Sequence, residues 1–475
     1  MTRAREVLER TLPPLLVVGI VAATSLAAPA PVAAHGLTGL YVSPLPLVVY
    51  IAGAALAVAL SFAFVILRGG DTTVPEPGPV RRVPRWLVIL LKAIGLVGWL
   101  WILAQTITGG ISLADVSSLF LWVYGWVGLA MISAFAGPAW SWIDPFTTLH
   151  DLGAAALRLV GIRGWRAAPW PERLGHWPAV AGFAFFVWLE LVARVEQGLG
   201  VVLMGYTALT LLGMAQFGRD GWRERGETFS VWFATLGRLA PIVLEGPPEA
   251  RTVRVRRFAS GLFTRDWGID RLVLVALGTG SIIYDGLSQT QLFYDVFGLQ
   301  TLATGTLTLA AFLGLLVAAV LAVGRLIGPA GLGAGLLPIA VGYLVAHYLT
   351  YLLVDGQRIL NAISDPFQLG WDVFGTAFWE PTGAWIPPSL LWTVQLVAVV
   401  GGHVVGAWAG HVMAIRTSPG LSEGSIRRRQ VPLAVLMVTL TSITLWSLGQ
   451  SVVVTPEEAA LPDSAPTLAG RLPLP

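Results

Sequence analysis

The chain has 475 residues, 55% of them hydrophobic and 12% charged, with a formal net charge of +3 and no cysteine. A soluble domain carries about 25% charged residues, so a soluble globular enzyme is excluded, as are disulfides, thiolate metal centres and a cysteine nucleophile. The basic residues fall between apolar runs, where they set membrane topology, so nucleic acid is not an expected partner.

Residues 1–34 read as a signal peptide: Arg3, Arg5 and Arg10 lead an apolar stretch from Leu15 to Ala27, and Val32-Ala33-Ala34 suits cleavage. Cleavage there would leave His35 as the new N-terminus; the alternative is an uncleaved first helix. Ten spans of roughly 20 apolar residues follow. They lie near 44–67, 86–106, 116–136, 177–195, 199–217, 271–289, 301–324, 335–354, 389–414 and 431–449. The fold class expected is all-α, a polytopic transmembrane helix bundle in the lipid bilayer, and the 20 tryptophans suit its two interfacial belts.

Loop charge orients the bundle. Arg68, Arg81, Arg82 and Arg85 precede the second span, and ten arginines occupy 218–271, whereas only Arg358 and Arg471 fall on the other side. The positive-inside rule then puts both mature termini outside a bacterial cytoplasmic (inner) membrane. The chain divides into 35–217 with five spans, a cytoplasmic loop 218–270, five more spans in 271–449, and a Pro/Ala-rich tail, 450–475, read as disordered. Within the loop, Phe229–Ile242 reads as an interfacial amphipathic helix, and Ile242–Asp270 as a small subdomain.

Asp144-Pro145-Phe146 after the third span recurs as Asp365-Pro366-Phe367 after the eighth, with Asp151 and Asp372 each seven residues further on. The common offset carries the first five spans near the last five. A 5+5 inverted repeat, a transporter signature, is one reading; the other is that Asp-Pro is a common start for turns and caps.

Ionisable groups inside spans are expensive and mark function or pairing. Counted along their helices, Glu190, Asp285 and His347 each lie roughly 18–21 Å from the inner end, and Gln395 falls near the same layer. Carboxylates and imidazole at one depth suit a proton relay or a divalent metal ion such as zinc, copper or manganese. Each has a structural alternative. Glu190 can pair with Arg194 at i+4, Asp285 can serve the helix end beside Gly286, and His347 can bond a neighbouring helix. His403 and His411 share the ninth span among small residues that imply tight packing; His403 is also a candidate metal ligand, and a proton or ion path through Asp285, His347, His403 and His411 is the other reading. An N-terminal His35 would offer amine and ring to copper. Tyr284 and Gln357 are further candidates for a solute or ion path. No phosphate loop, HExxH or GxSxG is present.

The motifs Ala34-His35-Gly36-Leu37, PERLGHWP (171–178), WLELV (188–192), Tyr284-Asp285-Gly286, VAHY (345–348), SDP (364–366) and WDVFGTA (371–377) resemble a family of bacterial polytopic membrane proteins labelled fenitrothion hydrolase-like. The resemblance implies hydrolysis of an organophosphate-type ester. Asp285 and His347, with Asp365 or Asp372, would then hold a metal that supplies hydroxide. Three functions stay open: a gradient-driven transporter of a small apolar molecule or an ion, a metal-dependent membrane hydrolase, and an envelope assembly or metal-delivery protein.

Overall fold

The computed structural model describes residues 78–448, apart from 109–114, 162–166, 194–198, 247–249, 265 and 419, and part of 52–62. The expected signal peptide, His35, most of the first span and the 450–475 tail lie outside the described residues. Among the described residues, nine helices are long and apolar enough to cross a membrane, and they correspond to the second to tenth expected spans.

In chain order the first part comprises strand β1 (Val80–Arg82), α1 (Arg85–Thr108), α2 (Val116–Phe135), α3 (Ala139–Ile143), α4 (Pro145–Leu159) and α5 (Trp177–Trp188). Then come α6 (Leu199–Phe217), α7 (Arg219–Arg225), α8 (Thr228–Leu236), β2 (Ile242–Glu245) and β3 (Thr252–Val255). The last part comprises α9 (Ile269–Ser288), α10 (Gln291–Phe297), α11 (Leu302–Ile327), α12 (Pro329–Asp355), α13 (Ile359–Ser364), α14 (Pro388–Thr417) and α15 (Glu423–Leu448).

One end of the bundle gathers the arginine-rich loops. Phe135 at the end of α2 stacks on Phe258, His176 before α5 pairs with Asp270 at the start of α9 (2.7 Å), and Phe263 packs on Trp408 and beneath Arg416 of α14. Beside them Asp266 takes Arg238 at 2.6 Å and Arg271. Burial raises the Asp266 carboxyl, but the Thr264 hydroxyl and the two guanidinium groups outweigh it and hold it down at about 2.

This end also adds a small sheet to the helical bundle. β1, β3 and β2 form a three-stranded antiparallel sheet in that order, with Val80 opposite Arg254 and Ile242 opposite Val255. Short β-branched runs, Ile242-Val243 and Thr252-Val253-Arg254-Val255, favour the pleat. The partner strand comes from the loop before α1, so two separate loops close one sheet.

The segment 218–241 packs more deeply than an interfacial helix would. The helix expected at the membrane interface is α8, and Phe229, Val231, Trp232, Phe233 and Leu236 are all buried. Of its nine residues only Ala234 is exposed, so the helix packs inside the bundle and does not lie on its surface. α7 packs back along α6, where the Trp222 ring covers Gly213 and Gly226. The chain then turns at Glu227 inside the bundle and returns as α8. α3 and α4 make a similar excursion, turning at Asp144. The Ile143 carbonyl lies on α1 at Gly95, where an added Cβ would sit 1.6 Å from its oxygen. Gly95 is ten residues from Arg85, or about 15 Å along the helix, half the thickness of a bilayer core of about 30 Å.

α12 and α14 meet along a glycine seam. A Cβ on Gly342 would lie 2.6 Å from the Ala398 carbonyl oxygen, one on Gly402 2.6 Å from that of Pro338, and one on Gly406 2.4 Å from that of Gly335. Small residues let helix backbones touch where no hydrophobic effect drives them together. The seam sets where the far half of α12 projects its side chains.

Candidate functional site

The far end of the bundle holds a polar group assembled from four helices. α5 runs on into a π-helical turn, Leu189–Ala193, which carries Glu190. α2 is π-helical over Leu119–Leu129 and carries Trp126. Such turns displace side chains from the ordinary helical register and recur at functional sites. α9 contributes Asp285 and Gln289, and α12 contributes the adjacent pair His347 and Tyr348.

Asp285 is the hub. Its Oδ2 receives His347 Nε2 at 2.9 Å and the Tyr348 hydroxyl at 3.1 Å, and its Oδ1 accepts from Gln289 Nε2 at 2.7 Å. The same Tyr348 hydroxyl lies 3.4 Å from Glu190 Oε1. The His347 ring is edge-on to Tyr348, and Trp126 closes the far side of that tyrosine. His347 and Asp285 keep 12% and 18% exposure, so the site is narrow but not sealed.

The protons do not suffice for every contact. Tyr348 has one hydroxyl proton and two carboxylates beside it. It donates best to Asp285, the nearer, which leaves Glu190 Oε1 with a long contact. Glu190 Oε2 is buried and without a partner, and so is His347 Nδ1. A bare carboxylate oxygen in an apolar bundle is costly unless it takes a proton or a cation. A proton on Glu190 would let it donate to the tyrosine oxygen and complete a chain Glu190–Tyr348–Asp285–His347.

Supporting contacts fix this geometry. Gln395 of α14 donates to the carbonyl of Ala346 at 2.7 Å, one residue before His347, so it positions α12 and stands outside the group. The other sequence candidates are elsewhere. Tyr284 bonds Thr308 of α11 at 2.7 Å. Asp365 accepts from the backbone of Leu369 and Gly370, and Asp372 from that of Ala377. Gln357 ties the end of α12 at Leu353 to the same loop at Thr382 and Trp379. His403 is fully buried, with Nδ1 on the Val399 carbonyl and Nε2 on Thr441, both at 2.7 Å. His411 pairs with Gln430. His35 and Arg194 lie outside the described residues.

Of the expected metal ligands, Glu190, Asp285 and His347 come together, His403 stands apart on Val399 and Thr441, and His35 lies outside the described residues. Among the described residues no three His, Asp or Glu side chains converge closely enough to hold a metal ion. The sequence candidates omitted Tyr348, although a residue next to His347 on a helix is turned only about 100° from it and can share its cleft. They also omitted two buried carboxylates at the helix breaks. Glu227 caps α8 through the amides of Phe229 and Ser230, at 3.0 and 2.6 Å. It further accepts from Trp140 Nε1 at 3.2 Å and from the Tyr206 hydroxyl. Asp144 caps α4 through Phe146 at 2.8 Å, beside Pro145 at the first helical position.

These features define a multi-pass integral membrane protein with an ionisable group buried between its helices. No family model, curated protein or solved structure matches the chain.

Proposed function

We propose that the protein is a proton-coupled transporter of a small apolar solute in a bacterial cytoplasmic membrane, with the arginine-rich end in the cytoplasm. Glu190 carries the exchanging proton, Tyr348 relays it, and Asp285 with His347 forms the receiving pair. The observation behind this reading is the shortage of protons in the Glu190–Tyr348–Asp285–His347 chain, with Glu190 Oε2 and His347 Nδ1 both free to bind one more. Such a chain changes state by moving protons between side chains and needs no metal. The outer loop above it exposes Trp371, Phe374, Phe378 and Trp385, an aromatic surface suited to an apolar solute arriving along the bilayer interface. The positive-inside rule supports the orientation.

The hydrolase reading needs metal-bound hydroxide beside Asp285 and His347. Asp365 and Asp372, offered as its further ligands, are bonded to the backbone of their own loop. A metal-delivery role would rest on His35, and no observation on the described residues favours it.

The test uses proteoliposomes loaded with a pH-sensitive dye. Apolar solutes, organophosphate triesters among them, should drive proton movement in the wild type and not in Glu190→Gln. Triester turnover by the wild type in detergent, without a gradient and lost in Asp285→Asn, would replace transport by hydrolysis.

A further inference from the structure

The bundle contains a second carboxylate pair that the far-end chain does not use. Asp144 and Glu227 are 3% and 1% exposed. Each stands at the break where a chain that has folded back into the bundle starts a new helix. Tyr206, bonded to Glu227, is eleven residues from the arginine-rich end of α6, or about 16 Å. Gly95, beside Asp144, gives about 15 Å by the same count. Both carboxylates thus lie near the middle of the bundle.

Their surroundings differ in one decisive respect. Glu227 spreads its charge over four donors, two from backbone amides, one from Trp140 and one from Tyr206. Asp144 uses only Oδ1 for its cap, and its Oδ2 is buried with no partner. The charged groups that act on Asp144 are Glu227 at the head of α8, Arg223 of α7 and Lys92 of α1. None of the three makes a hydrogen bond to the free oxygen. An ionised aspartate would leave a bare anionic oxygen in an apolar interior within the field of a second carboxylate, and two like charges that act on each other there do not both ionise easily.

We propose that Asp144 Oδ2 is a second protonation site, separate from the far-end chain. Asp144 carries the proton, and Glu227 keeps its four donors. A continuous set of rings lies between the two sites. Tyr348 meets Trp126, Trp126 meets Phe186, Phe186 meets Phe229, and Phe229 meets Tyr206, with centroids 5.2 to 6.1 Å apart. Aromatic rings in contact conduct no protons, so this line of contacts does not join the two sites.

The test does not depend on transport. In nanodiscs, pH-difference infrared spectra of the wild type with 13C-labelled aspartate should show a protonated-carboxyl C=O band. That band should be absent in Asp144→Asn and retained in Glu190→Gln. Asparagine caps a helix as well as aspartate does, so the variant keeps the turn. Tyr206→Phe provides a check that leaves Asp144 in place: removing one donor from Glu227 should shift the midpoint of the band. A band unchanged in Asp144→Asn, or a midpoint unmoved in Tyr206→Phe, would overturn the proposal. Vesicles that move no protons while the band behaves as described would sink the transport reading alone.

Discussion

The two polar groups are built from the same parts and end in opposite conditions. Each has two acidic side chains and a tyrosine inside the bundle. At Glu227 two of the four donors are backbone amides at a helix start, which cannot rotate away and cannot give up their protons. At Asp285 every donor is a side chain, His347, Tyr348 or Gln289, and two of these can change protonation or rotamer. Backbone donors hold a charge in place as structure; side-chain donors leave it able to respond. Asp144 falls between, with one oxygen fixed by a cap and the other open.

The sharpest way to break this contrast is to remove each hub. Asp285→Ala leaves His347, Tyr348 and Gln289 without their shared acceptor and should cost about 3–5 kcal/mol, as for one partner of a buried pair. It should also abolish solute-driven proton movement, measured in the same vesicles. Glu227→Ala orphans four donors and uncaps α8, at about 3 kcal/mol or more. Thermal unfolding in nanodiscs measures both, and equal, negligible losses would mean that neither carboxylate is a hub.

A finer cut is Tyr348→Phe. Losing one hydroxyl should lower stability by only about 1 kcal/mol, whereas proton movement should fall about 100-fold if the hydroxyl is the relay. A stability loss with flux intact would make Tyr348 a packing residue. The smallest effect is expected at the arginine-rich end. The Asp266 carboxyl sits at about 2 in the folded protein, below its ordinary value of about 3.9. Its depressed value contributes stability that is present above about pH 4 and lost as pH falls toward 2. Asp266→Asn should flatten that acid limb in denaturation curves and leave flux at neutral pH unchanged. Because Asp266 is more than half exposed, the effect is screened and small.

Much of the architecture was legible in one dimension because a bilayer imposes a length on every span. Spans two to ten could be read from apolar runs alone, and equal depth along the helices singled out Glu190, Asp285 and His347 together. The burial of α8 within 218–270 was not legible, for a physical reason. Hydropathy cannot distinguish Phe229, Trp232 and Phe233 lying on a membrane from the same residues folded back inside a bundle, since both settings are apolar. The sheet was missed because its first strand, Val80–Arg82, lies far in sequence from the strand it joins.

The sequence alone determined that this is a helical membrane protein, where its helices run and which charges lie within them, since those depend on composition over single helix lengths. Tertiary structure decided the partners. His403 is spent on Val399 and Thr441, Asp365 and Asp372 on their own loop, and Tyr348 joins a group the sequence did not assign it to. Which side chains from other helices complete a buried carboxylate depends on their approach, set by contacts such as the α12–α14 glycine seam, which no single segment encodes.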